Sequence, residues 1–119
     1  MIKKTAVIIK GNPKYVEGNK EAERFYNRIK KFLESLGYQV VFDSGFSHTL
    51  PPMADLWIGH SRGADRLRFA PKGVKTIALG VNLPRSINHP QDQVAISDCY
   101  HYIFTKEMKY KIKKVLEII

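Results

Sequence analysis

Cysteine is nearly absent. Cys99 is the only one in the chain, so no disulfide can close within it, and a reducing cytoplasm is the expected setting. Long apolar runs are missing too: none approaches the ~20 residues that a membrane-spanning helix needs. The apolar stretch after Met1-Ile2-Lys3-Lys4 runs for about six residues, too short for a signal-peptide core. His48, His60 and His89 show no metal-ligand spacing such as H-E-x-x-H, so no zinc site is expected, and nothing else in the sequence implies a cofactor. Repeats, low-complexity segments and linker-like stretches are also lacking. At 119 residues the chain therefore reads as one domain over 1–119, domains commonly holding about 100–150 residues.

Acidic residues are scarce: 11 stand against 20 lysines and arginines, a formal net charge of +9. Such an excess can serve phosphate contacts. The basic residues are nevertheless spread along the chain, at positions where amphipathic helices face solvent. Lys20, Arg24, Arg28, Lys30 and Lys31 fall in one helical stretch and Lys106, Lys109, Lys111, Lys113 and Lys114 in another. No helix-turn-helix or aromatic-interleaved pattern accompanies them, so solvated helix faces are favoured over nucleic-acid binding. Nothing in the sequence indicates an oligomeric state.

What is present alternates between strand and helix. Thr5–Ile9 is a continuous apolar, β-branched run, the signature of a strand buried on both faces. Lys10-Gly11-Asn12-Pro13 is a turn signal. From Asn19 to Leu36, Ala22, Phe25, Ile29, Phe32, Leu33 and Leu36 share one helical stripe, with Asn19 as N-cap and Gly37 as the stop. Tyr38–Phe42 reads as a second buried strand, Ser44–Met53 as a loop with little room for a helix, and Ala54–Ile58 as a third strand. A short helix over Ala64–Ala70 follows, closed by Pro71 and Gly73. Val74–Val81 is a fourth strand, Leu83–Gln91 is irregular, Val94–Ile96 suits a short fifth strand, and a last helix starts near Thr105. On its inner face stand Met108, Ile112, Val115, Leu116 and Ile119.

This alternation implies an α/β fold: a minimal doubly wound parallel sheet of about five strands, helices on both faces, in the economical order 2-1-3-4-5. Ligands of such sheets bind at the carboxyl ends of the strands where the order reverses, here between strands 1 and 3. The Lys10-Gly11-Asn12 turn and the stretch Gly59-His60-Ser61-Arg62-Gly63 would both flank that crevice.

That stretch is G-x-S-x-G. The bare pattern is weak, but here it follows a strand and precedes a helix. On a turn that sharp the serine is strained, and bulk two residues to either side would clash, so Gly59 and Gly63 suit it. Ser61 is then the candidate nucleophile. The backbone N–H of Arg62 at the helix N-terminus would face a developing oxyanion, and Gly11 or Asn12 would supply a second amide. The competing interpretation is a plain tight strand-to-helix turn. His60 fits a supporting role in the elbow, Trp57 a core position, and Asp55 the start of its strand at the opposite end of the sheet. Cys99 suits a buried structural thiol better than a nucleophile. Phe46, His48, Leu50 and Met53 could line the crevice or belong to a surface loop.

In these segments the chain resembles the α/β-hydrolase family, especially its small, lidless esterase-like members. Ala6–Asn12 is similar to the family's strand and oxyanion turn, with Lys10 in place of the usual histidine. Leu36–Asp43 is similar to the next helix end and strand, and Ile58–Ala64 to the nucleophile elbow. Asp98–Tyr102, just before the last helix, is similar to the catalytic-histidine loop. The resemblance implies a Ser, Asp or Glu, His order in the chain. It makes His101 the general base and Asp92 the acid, with Asp98 or a Ser–His dyad as alternatives, because Asp92 and His101 are only nine positions apart. It also implies acyl transfer from a small-molecule ester, thioester or amide. Two rivals stand beside it. Gly59–Asp65 also resembles the glycine-rich loop of Rossmann-like nucleotide-binding proteins, which would hold phosphate at the helix N-terminus. A catalytically inactive hydrolase fold serving as a binding protein is the other.

Overall fold

The apolar, β-branched run from Thr5 to Ile9 becomes an interior strand of a parallel sheet. The computed structural model describes residues 3–44, 46, 49, 51–79, 93–96 (backbone course only) and 102–117. The first strand, β1, spans Lys4–Lys10, followed by α1 (Pro13–Val16), α2 (Lys20–Ser35) and β2 (Tyr38–Ser44). Then come β3 (Leu56–His60), a 3₁₀ helix (Ser61–Phe69), β4 (Lys75–Leu79) and, near the end of the chain, α3 (Lys106–Glu117). These four strands are all parallel and stand in the order β2-β1-β3-β4. For those strands, this is the order expected from the sequence.

Ala6, Val7, Ile8 and Ile9 are fully buried, because β1 has a strand on each side and helices over each face. One face packs Ala6, Ile8, Leu56, Ile58, Ile77 and Leu79 against Phe25, Ile29 and Leu33 of α2 and Met108, Ile112 and Val115 of α3. The other packs Val7, Ile9, Trp57 and Ala78 against Ala64 and Leu67 of the 3₁₀ helix. Each Val, Leu, Ile, Phe or Met side chain so taken out of water contributes about 1.5–3 kcal/mol. Helix α2 is capped as its sequence suggests. The Asn19 side chain accepts from the amides of Glu21 and Ala22, and Gly37 leaves the helix at φ +95°, a conformation that glycine adopts without steric cost. Among the described residues no helix is long and apolar enough to cross a membrane.

Three expectations need correction. Tyr38–Phe42 was expected to be buried, but β2 is an edge strand. Val40 and Phe42 pack under α2, whereas Val41, on the opposite face, is 40% exposed. The third strand starts and ends two residues later than expected. Asp55 ends up before it, accepting the Thr5 amide at 2.8 Å and thereby tying down the far end of the sheet, while Gly59 and His60 become strand residues. The helix after it begins at Ser61, three residues earlier than expected, and is a 3₁₀ helix. Its inward residues recur every third position: Gly63 and Arg66 are buried, as are Ala64 and Leu67, with Ala70 packed behind them. That is the repeat of three residues per turn.

Candidate active site

Strand β3 ends at His60, and the chain turns at once into the helix. Ser61 makes the turn with φ +54°, in the left-handed region that non-glycine residues avoid at a cost of about 1–2 kcal/mol. The turn is tight enough to dictate its neighbours. A Cβ on Gly59 would lie 2.7 Å from both Ala64 Cα and the Gly63 carbonyl oxygen. On Gly63 it would overlap the Ile9 carbonyl oxygen and stand 2.7 Å from that of Lys10. Both positions therefore require glycine for packing, and the helix start is pressed onto the end of β1. The register explains why, since Ile9 of β1 is paired with Gly59 of β3.

The turn after β1 lies against the same point. A Cβ placed on Gly11 would be 3.5 Å from Ser61 Cβ and 3.6 Å from Tyr26 Oη. The side chain of Asn12 accepts from the Lys14 amide at 2.9 Å and caps α1. Of the two amides expected to serve as second oxyanion donor, that of Gly11 donates to Tyr26 Oη at 3.0 Å. Arg62 is exposed at the first turn of the helix, with its guanidinium 3.5 Å from the Asp65 carboxylate. Lys10, standing where the resembled family has histidine, holds its ammonium 4.6 Å from the centre of the Phe42 ring.

His60 is inside the protein, 6% exposed. Its Nδ1 is 2.7 Å from Tyr26 Oη, and its ring meets those of Phe25, Tyr26 and Tyr102 at 4.9, 5.4 and 5.7 Å. Burial pushes the imidazole down from its ordinary 6.5 to about 4, so it is neutral at pH 7. It anchors the elbow to α2 and to the segment before α3. Because the folded-state imidazole titrates below the unfolded one, its contribution to stability is complete above pH 6.5 and is lost as pH falls from there through about 4. The loss expected between pH 7 and pH 4 is about 3 kcal/mol. Urea unfolding at the two pH values should show it, and His60→Phe should lose markedly less. Equal losses in both proteins would place the acid lability elsewhere.

The loop after β2 is fastened to the same helix. Arg66, 7% exposed, donates to the carbonyl oxygens of Ser44 at 2.8 Å and of Thr49. Phe46 and Met53 are 49% and 75% exposed. Beside the β1 turn lies a cavity of about 290 Å³, lined by residues including Lys10, Gly11, Tyr26 and Ser44. A larger one of about 540 Å³ sits at the opposite end of the sheet, between Lys3, Lys4, Tyr38 and Lys113. The smaller therefore lies nearer to Ser61.

Of the residues singled out in the sequence, Gly11, Asn12, Gly59, His60, Ser61, Arg62 and Gly63 fall around one point at the carboxyl ends of β1 and β3. His101, Asp92 and Asp98 lie outside the described residues, as do His48, Leu50, His89 and Cys99. Tyr26 was not anticipated, although a hydroxyl on the apolar stripe of α2 needs a buried partner. No known family model matches the chain, and no curated protein is significantly similar to it.

Proposed function

We propose that this chain is a small serine hydrolase with an α/β-hydrolase-like core, acting on an ester, thioester or amide through an acyl-Ser61 intermediate. One observation carries the proposal. Ser61 is held in a left-handed backbone between a strand and a helix, with glycines two residues away on each side where no side chain fits. A strained polar residue over-determined by its surroundings is characteristic of functional sites. In this reading the sheet has a fifth strand, Gln93–Ile96, giving the order 2-1-3-4-5. The parallel register from Thr76↔Gln93 to Leu79↔Ile96 supports it.

Ser61 Oγ attacks the substrate carbonyl carbon and passes its proton to His101 Nε2, and Asp92 orients the imidazole. The oxyanion is received by the amides of Arg62 and Asn12, that of Gly11 being engaged by Tyr26. Collapse expels the alcohol, thiol or amine, which takes the proton from His101. Water, deprotonated by His101, then releases the acid and regenerates Ser61. In support of His101, the next residue, Tyr102, packs its ring 5.7 Å from that of His60, the residue before Ser61. The phosphate-binding alternative has less support, because the Arg62 guanidinium at the start of the helix already faces the Asp65 carboxylate at 3.5 Å. The test is a stopped-flow burst with p-nitrophenyl acetate. One equivalent of p-nitrophenolate per chain, absent in His101→Ala, is the expected result. No burst from folded wild-type protein would overturn the proposal.

A further inference from the structure

Tyr26 joins two features that the sequence treats separately. It projects from α2 and is 2% exposed. Its hydroxyl accepts the Gly11 amide at 3.0 Å and lies 2.7 Å from His60 Nδ1. Gly11 begins the turn that carries the Asn12 amide, and His60 precedes Ser61. One phenol oxygen therefore ties the turn after β1 to the end of β3.

The turn is restrained from its other side as well, where the Asn12 side chain caps α1. Its N-terminal restraint is the tyrosine, and the space between is small: a Cβ at Gly11 would already touch Ser61 Cβ, His60 O and Tyr26 Oη at 3.4–3.6 Å. A displacement of the turn by a fraction of this distance would re-aim the next amide relative to Ser61. Oxyanion donors act only when directed at the position where charge develops.

Building on the hydrolase proposal, we infer that Tyr26 is a positioning residue, holding the Gly11-Asn12 turn at the distance from Ser61 at which the Asn12 amide can receive the oxyanion. Its own proton has His60 Nδ1 as an acceptor at 2.7 Å, and donated there it leaves the His60 ring proton on Nε2. Tyr26→Phe keeps the ring and its packing but removes both hydrogen bonds. Because an oxyanion is formed in both acylation and deacylation but not in the bound substrate, misdirecting its donor lowers kcat and leaves KM in place.

The experiment uses the full chain with p-nitrophenyl acetate turnover and a fluorophosphonate probe. Tyr26→Phe is expected to lower kcat and the inactivation rate by about 10–100-fold, with KM within about twofold. His60→Asn, whose side-chain oxygen can replace Nδ1 as acceptor, should retain more of the rate than His60→Phe. If Tyr26→Phe folds and reacts at the wild-type rate, the positioning role is overturned and the hydrolase assignment stands. If wild-type protein itself acquires no adduct at Ser61, both are overturned. Nitrogen chemical shifts of His60 provide a check independent of turnover: Nδ1 should be the unprotonated nitrogen in wild type, and a proton on Nδ1 would contradict donation from Tyr26 to His60.

Discussion

Gly63→Ala is expected to destabilise the protein by about 4 kcal/mol or to prevent folding outright. The added methyl would overlap the Ile9 carbonyl oxygen and come within 2.7 Å of that of Lys10. Both are backbone atoms of an interior strand, so neither can rotate aside as a flexible side chain would. The helix would have to lift off β1, taking Ala64 and Leu67 out of their packing against Val7, Ile9 and Trp57. Domains have total stabilities of about 5–15 kcal/mol, so a loss of this size is a large fraction of the whole. Gly59→Ala should behave similarly, pressing on Ala64 and Gly63. Gly11→Ala is the informative contrast: its methyl would meet neighbours only at ordinary contact distance, 3.4 Å or more, and should cost about 1 kcal/mol or less. Chemical denaturation of the three variants measures the difference. Equal costs at positions 11 and 63 would mean that the elbow is less tightly built than described.

Ser61 should show opposite effects on stability and activity. Its φ of +54° is costly for any residue with a Cβ and free of that cost for glycine. Ser61→Gly is therefore expected to raise stability by about 1 kcal/mol, less the flexibility that glycine adds to the unfolded chain. Ser61→Ala keeps the strain and should leave stability near that of wild type. Both should abolish ester turnover, lowering kcat by about 10⁴-fold or more, as expected when the group that forms the covalent intermediate is removed. A residue retained for folding alone would lose stability when replaced. Gain of stability with loss of turnover is the pattern of a strained functional residue.

Much of this site was legible in the residues themselves. The glycines flanking Ser61 point to an elbow in the sequence itself, because a strand-to-helix turn around serine leaves room for nothing larger. The β1 run and the α2 stripe were equally plain, since Asn19 and Gly37 mark the helix ends by backbone chemistry that depends little on the rest of the fold. Other features depended on tertiary context. Val40-Val41-Phe42 looks buried because an apolar run does not reveal which strand will be at the edge of a sheet. His60 read as part of a turn because a polar residue rarely ends a buried strand, and only the ring cluster with Phe25, Tyr26 and Tyr102 makes burial favourable. Helix α1, four residues long, is too short to show a period, though Asn12-Pro13 carries an N-cap and first-turn signature. Tyr26 lay between Phe25 and Ile29 on a stripe read for its apolar members alone. Its hydroxyl was the clue to a polar link inside the core.

The most direct test of Ser61 as nucleophile is to treat the folded chain with a fluorophosphonate and locate the adduct by peptide mass spectrometry. The expected result is one phosphonyl group per chain on Ser61, formed in native protein, absent after denaturation and lost in His101→Ala. A folded protein that acquires no adduct, or acquires it on another residue, would contradict the assignment of Ser61.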